Sequence, residues 1–415
     1  MNYVIGNKSL LTFVLAGGKG ERLYPLTKDR AKPAVPFGGM YRIIDFTLSN
    51  CLNSGIRKII VLTQYKSMSL NRHLNRGWDI FNDELGEFIQ IIPPQQRVSS
   101  SWYKGTADAI YQNIYTIEHY KPDIILILSG DHIYKMDYRR MVEYHLSKDA
   151  DLTISALEVD TKEASQFGII GVDENNRVIG FQEKPKKPVS IPGKPGKALA
   201  SMGIYIFNTE CLIRSLSVDA KKDSSHDFGK DIIPQLFSSG KKVYIFPFID
   251  ENKKETLYWR DVGTIESYYE ANMDLVQVDP LCNLYDSAWP LRTYMEQAPP
   301  AKTVFAQEKE KNGRLGIALD SIISNGCIIS GGRVQRSVLS PYVRINSYAE
   351  VYDSILMEGV DVGRRARIRR AIIDKGVAIP QDMSIGYDSV EDKKRFLVTD
   401  SGIVVIPKER KITLQ

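Results

Sequence analysis

Three glycines, an arginine and a lysine near the start of the chain are spaced to hold an anion. Gly17, Gly18 and Gly20 follow a short apolar run, Arg22 comes two residues later, and Lys32 follows in "AKPAVPFGG", beside Pro33 and Pro36. Missing side chains let backbone N–H groups approach an anion closely. Arg22 adds a planar fork for phosphate oxygens, and the prolines stiffen the segment that carries Lys32. No Gly-Lys-Ser/Thr closes the loop, so it is not a P-loop, and the third glycine comes one residue too early for a dinucleotide fingerprint. A bare glycine turn remains the plainer alternative for the triplet alone. Two cations on one long loop suit a triphosphate better than a single phosphate.

Two carboxylates extend that chemistry. Asp131 lies in "LILSGDHIY", at the carboxyl end of an apolar strand, where open α/β sheets place ligands. Asp261 lies in "YWRDVGT", just ahead of a helix expected from Thr264. Each alone also suits a helix N-cap. Converging at strand ends, the pair would suit Mg2+, which takes few protein ligands and keeps waters and phosphates. Gln95 and Gln96 in "IIPPQQR" carry both a donor and an acceptor, as a nucleobase edge requires, though a polar loop needs no such role. Glu183-Lys184-Pro185 alone reads as a solvated turn. In "VGRRARIRR", Arg365, Arg367 and Arg369 would share one strand face as a basic ridge, or form a solvated surface.

These residues need a scaffold, and the apolar pattern supplies one. Leu11–Ala16, Lys58–Thr63 and Asp123–Ser129 are short apolar runs rich in β-branched residues. Between them lie amphipathic stretches. One is "YRIIDFTLSNCLNSG", stopping at Gly55; another is "ADAIYQNIYTIEHY", with Ala107, Ile110, Ile114 and Ile117 on one stripe. Apolar strands separated by amphipathic helices imply an α/β domain with a mostly parallel, Rossmann-like sheet covered on both faces. This catalytic domain is expected over residues 1–280. Residues 281–314, rich in proline and aperiodic, read as a linker. Over 315–415 a repeat appears: Val338, Ile355 and Ile372 are 17 apart, as are Val343, Val360 and Val377, and Ile328, Ile345, Val362 and Ile379 keep the same step. That pattern predicts a three-sided parallel β-helix.

At 415 residues the chain is too long for one ordinary core, which supports two domains. A net charge of +5 over that length is too dilute for nucleic acid but suits anionic small molecules. Cys51, Cys211, Cys282 and Cys327 are far apart and show no metal spacing, so a reduced, cytoplasmic setting is expected. No apolar run approaches the roughly 18 residues of a membrane span. "SLLTFVLAGG" lacks the basic flank and cleavage site of a signal peptide and reads as a strand. The five histidines, His73, His119, His132, His145 and His226, all precede the β-helix. Acyl transfer on that domain, which generally wants a histidine base, is therefore disfavoured.

"LAGGKGERLYPLTKDRAKPAVPFGG" resembles the signature of the sugar-phosphate nucleotidyltransferases. The likeness runs on through "WYKGTADAI", "LSGDHIYKMDY", "FGIIGVD", "FQEKP", "SMGIYIF" and "YWRDVGT". It is close to the bacterial catalytic type of the glucose-1-phosphate adenylyltransferase family and covers nearly the whole chain. The resemblance implies ATP and glucose 1-phosphate as substrates, ADP-glucose and pyrophosphate as products, and a role in glycogen synthesis. It implies catalytic roles for Arg22, Lys32 and Asp131, and Mg2+ held by Asp131 and Asp261. It places Tyr103, Gly168, Glu183, Lys184 and Ser201 around the sugar phosphate. It also implies a left-handed β-helix, a homotetramer, and a phosphorylated effector near Arg30, Arg42 and Lys375. Asp29 and His119 replace a lysine and an arginine of the enteric branch. Weak activation by fructose 1,6-bisphosphate is therefore expected, since a carboxylate repels it. No nucleic-acid or membrane partner is expected.

Overall fold

The apolar run ahead of the glycines is the strand Lys8–Ala16, inside a ten-stranded sheet. The computed structural model describes residues 4–5, 8–95, 102–307, 313–408 and 412. Pleating sends alternate side chains to opposite faces. Leu10, Val14 and Ala16 therefore enter one core, and Leu11 and Phe13 the other. Lys8–Ala16 pairs parallel with Lys58–Thr63 on one side and Ile124–Ser129 on the other, and Lys58–Thr63 pairs parallel with Phe88–Ile92.

The other half of the sheet is largely antiparallel. Lys197–Asn208 runs against Ile124–Ser129, and Gly168–Val172 and Val178–Glu183 continue antiparallel beyond it. The link 173–177 is too short for a crossover helix. It closes as a turn, the Asp173 carboxylate accepting from the backbone N–H groups of Asn175 and Arg177.

The Ile43–Asn53 helix forms as its pattern predicts and stops before Gly55, whose φ of 74° is left-handed. The stretch predicted as one helix from Ala107 to Tyr120 is two, Thr106–Tyr111 and Ile114–Tyr120. The break falls at Asn113, whose amide donates to the Ala109 carbonyl and to the Tyr103 hydroxyl, 2.8 and 3.1 Å away. Asparagine competes with the helix backbone in this way.

The C-terminal repeat forms three parallel ladders, the faces of a left-handed β-helix. Val338, Ile355 and Ile372 stand in register, as do Ile345, Val362 and Ile379. Ile328 does not join that column: the coil from Ile329 to Ile345 is one residue shorter than those after it, so Ile329 faces Ile345 and Ile328 faces Arg344. The ladder begins within the stretch expected as a linker, since Lys302–Val304 pairs with Ile328–Ser330. Arg367 and Arg369 are exposed on one strand, but Arg365 sits on a corner with φ 57° and pairs with Asp382, so the three form no single ridge.

The two domains share a core. Leu23, Leu26, Val35 and Phe37 from the loop after the glycines pack in one cluster with Tyr268 and Tyr269 of the Ile265–Asp274 helix and with Val338, Ile355, Ile372 and Val405 of the β-helix. A buried ion pair crosses the same junction, Arg30 donating twice to Asp374 at 2.7 and 2.8 Å. The connector is pinned along the catalytic domain. Trp289 Nε1 donates to Asn50, and Thr293 Oγ1 donates to the fully buried Asp45, which also bonds His73 and Trp78.

Breaking a buried pair strands a charge. Arg30→Ala and Asp374→Ala are each expected to destabilise the protein by about 3–5 kcal/mol in urea unfolding. A loss below about 1 kcal/mol, the scale of an exposed pair, would show that water reaches the junction.

Candidate active site

The glycine loop forms one wall of a cavity of about 740 Å3 at the carboxyl ends of the parallel strands. Gly17, Gly18 and Gly20 line it with Arg22, Lys32, Asp131 and Asp261. Gly20 has φ 63°, and a Cβ there would lie 3.1 Å from Lys32 Cβ. The turn therefore folds the loop so that Lys32 comes back against its own start. Around Gly18 a Cβ would meet nothing within 4 Å, so open space lies beside the loop backbone.

A feature the sequence did not disclose brings Asp131 and Asp261 together. His132–Tyr134 and Trp259–Asp261 form a two-stranded antiparallel ribbon, with Asp261 directly opposite His132. A strand follows Asp131 directly, and Asp137 caps the next helix, Tyr138–Ser147, so Asp131 is no N-cap; Thr264, beyond Asp261, is the N-cap of the Ile265–Asp274 helix. Lys32 Nζ bridges the two carboxylates, 3.0 Å from Asp131 Oδ2 and 2.7 Å from Asp261 Oδ1. Burial alone would lower the ammonium pKa, but the charges of Asp131 and Asp261 outweigh it and hold the pKa above its usual value. Burial likewise opposes ionisation of Asp131. Lys32, His132 and the Ser129 hydroxyl reverse that and hold its carboxyl well below the usual carboxylate range. Arg22 is mostly exposed and reaches within 3.8 Å of Asp261.

The donor set fits a hard divalent cation. Ligand atoms of Asp131, His132 and Asp261 all lie within 4.8 Å of one another, and the carboxylate oxygens face a cavity with room for waters and phosphates.

Tyr103 is the one expected sugar-side residue on this cavity. Burial raises its hydroxyl pKa, and the hydroxyl accepts from Asn113. Gly168, Glu183, Lys184 and Ser201 lie further along the sheet. Gly168 pairs with Glu183 across neighbouring strands, and a Cβ on Gly168 would collide with the Phe181 ring at 2.5 Å. Lys184 has φ 46° and an exposed ammonium 3.7 Å from Glu183. Ser201 opens the irregular stretch of Lys197–Asn208, where its hydroxyl accepts from Gly203 N–H. The same Phe181 ring packs on Gly229, next to Asp227 on the cavity wall, which makes these residues neighbours of the main cavity.

Asp227, Thr106 and Gln64 also line the cavity and were not anticipated. Asp227 caps the Phe228–Ile232 turn and accepts from Thr106 Oγ1 at 2.9 Å. "SSHDFGKD", where polar residues meet a glycine, was the available signal.

Gln95 faces a separate cavity, beside Gln112 and His119, and Gln96 lies outside the described residues. Arg42 and Lys375 do converge. With Arg72, Arg76 and His73 they line a third cavity of about 220 Å3 between the domains. Burial lowers the Lys375 pKa and Arg42 adds to that, against the pull of Glu358 2.5 Å away. Arg30 does not line this cavity; both of its short contacts go to Asp374.

Residues 11–278 match the nucleotidyl transferase family, and residues 299–406 match the family described as GlmU-like, C-terminal hexapeptide. The chain is 57% identical over 402 residues to a glucose-1-phosphate adenylyltransferase of Koribacter versatilis, covering 96% of this chain and 95% of that one. It is 58% identical to the enzyme so named from Rhodopirellula baltica, covering 97% and 90% of the two chains. It is 52% identical to glucose-1-phosphate adenylyltransferase 2 of Vibrio cholerae, covering 96% and 97%.

The wall that carries Tyr103 and Thr106 tests how firmly the cavity is built. A Cβ on Gly105 would lie 2.3 Å from the His226 carbonyl oxygen, which cannot rotate away. Gly105→Ala is expected to cost about 1–3 kcal/mol in chemical denaturation, as overpacking does. A variant as stable as the parent would show that the wall yields.

Proposed function

The chain belongs to the nucleotidyl transferases, among the glucose-1-phosphate adenylyltransferases, and on that premise we propose how its residues divide the work. The enzyme transfers the adenylyl group of ATP to α-D-glucose 1-phosphate, giving ADP-glucose and pyrophosphate. In our reading this feeds glycogen synthesis in the cytoplasm. No described helix is long and apolar enough to cross a membrane.

The observation that carries the division of labour is the convergence of Lys32, Asp131 and Asp261 beside the glycine loop. The backbone N–H groups of Gly17, Gly18 and Gly20 cradle the triphosphate, and Arg22 and Lys32 neutralise the leaving pyrophosphate. Gln95 and Gln96 serve the base. Lys184 holds the attacking phosphate, Glu183 and Ser201 bond sugar hydroxyls, and Gly168 leaves room for the ring. Tyr103 closes the cavity between the two substrates. Asp131 and Asp261 would hold Mg2+, which supplies positive charge to the phosphate oxygens during in-line displacement. No protein nucleophile is needed, because positioning and charge carry the rate.

The test is pyrophosphate release. It should require ATP, glucose 1-phosphate and Mg2+ together, and faster turnover with UTP or dTTP would sink the adenylyl assignment. Asp131→Ala should lower kcat by about 10²–10³, the scale of lost electrostatic stabilisation. Lys184→Ala should mainly raise KM for glucose 1-phosphate, since that contact already exists in the ground state. An unchanged KM would remove Lys184 from the site.

Regulation and assembly follow the same reading. The interdomain cavity binds a phosphorylated effector through Arg42 and Lys375, with Arg30 acting as a strut rather than a ligand. Asp29 is exposed and lies one residue from that strut, so fructose 1,6-bisphosphate should activate weakly. The flat faces of the β-helix dock copies into a homotetramer. Light scattering should give a mass near four chains. Lys375→Ala and Arg42→Ala should blunt the response to fructose 6-phosphate, pyruvate or AMP, whichever acts; intact responses in both would misplace the effector.

A further inference from the structure

Lys32 occupies the ground that the carboxylate pair offers to a cation. Its ammonium lies 3.0 Å from Asp131 and 2.7 Å from Asp261, and its side chain is 7% exposed. We propose that Lys32 is a resident counter-ion that keeps divalent metal off the Asp131–Asp261 pair until a polyphosphate draws its ammonium away, so that metal and nucleotide enter together. This rests on the reading that the pair holds the metal.

The backbone around Lys32 is fixed and its ammonium is not. Lys32–Ala34 is a short 3-10 turn with Pro33 inside it, and the base of the side chain is packed against Gly20. Beyond Cβ the flexible stem can swing a compact charge between neighbouring acceptors. The glycine loop and the carboxylates line the same cavity, so the swing needs no movement of the main chain. Arg22 cannot do the same work, being 69% exposed and no nearer than 3.8 Å to Asp261.

The charges favour an exchange over a shared site. With Lys32 in place the two carboxylates carry a net charge of −1, and a divalent ion would meet the ammonium at about the distance of a direct contact. Even at water-like screening that repulsion weakens metal binding by roughly tenfold or more. Once triphosphate oxygens take the ammonium, the pair recovers its full charge beside ligands that also bind the metal. An active site that uncovers its carboxylates only when the phosphates arrive avoids holding the ion unproductively.

The experiment counts bound Mn2+ by its paramagnetic resonance signal, with no substrate turning over. It compares the intact protein, Lys32→Ala, and Lys32→Ala combined with Asp261→Asn. Without polyphosphate, Lys32→Ala is expected to bind Mn2+ at least tenfold more tightly than the parent, and the added Asp261→Asn to abolish the gain. Lys32→Gln, which keeps an N–H donor without the charge, makes the same comparison if the alanine variant does not fold. Equal Mn2+ affinity in parent and Lys32 variants overturns the proposal. In that case the metal reading still stands if Asp261→Asn weakens Mn2+ binding in the parent with tripolyphosphate present. If it does not, the metal reading falls as well.

Discussion

Burial of the segment Leu23–Phe37 between two domains is the constraint on which the site depends. A loop that must present cations to a polyanion cannot also be loose, because each ordered residue costs conformational entropy of about 1–2 kcal/mol. Burial of Leu23, Leu26, Val35 and Phe37 offsets part of that cost. The cluster they enter takes Tyr268 and Tyr269 from the Ile265–Asp274 helix, Ile43 and Phe46 from the Ile43–Asn53 helix, and Val338, Ile355 and Ile372 from the β-helix. The β-helix is therefore part of what holds the loop, and its rigid coils do for the loop what a larger catalytic domain would otherwise have to do.

Within that frame the electrostatics are arranged in pairs that cancel. Lys32 meets Asp131 and Asp261, Arg30 meets Asp374, and Lys375 meets Glu358. Each of these three cations has a carboxylate within hydrogen-bond distance, as charges drawn out of water favour. The pairs differ in what else they can reach. Arg30 is enclosed, so its pair can only hold the domains. Lys32 and Lys375 each border a cavity, so an incoming anion can compete for them. The same physics thus gives an enclosed strut in one place and cations open to an incoming anion in two others.

Much of this was legible in the chain. Apolar runs announced the central strands because strands covered on both faces must be apolar on both, and the step of 17 announced the β-helix because each coil repeats one cross-section. Failures occurred where a single side chain or a turn length decided the outcome. Asn113 broke a helix by bonding backwards. A five-residue link made strands antiparallel. A coil one residue short moved Ile329 into the column assigned to Ile328. The ribbon that brings Asp131 to Asp261 was invisible because its paired residues are 125 to 129 positions apart in sequence and its strands only three residues long. Arg30 read as a free cation because its carboxylate lies in the other domain.

The chain order of these groups links the two cavities. Arg30 and Lys32 are two residues apart on one stiff segment, and Asp374 and Lys375 are adjacent on the β-helix, where Lys375 N–H also donates to the Asp374 carboxylate. A ligand that draws the Lys375 ammonium from Glu358 therefore acts on the backbone beside the carboxylate that grips Arg30. Only Ala31 separates Arg30 from Lys32, so in our reading a shift of Arg30 would be passed to the lysine at the Asp131–Asp261 pair. Packed interfaces respond to such pulls by switching between discrete arrangements rather than by yielding smoothly. The coupling free energy between the cavities is then set by how differently the Arg30–Asp374 pair sits in those arrangements. In our reading that buried ion pair, structural by its position, would be the place where occupancy of one cavity is felt in the other.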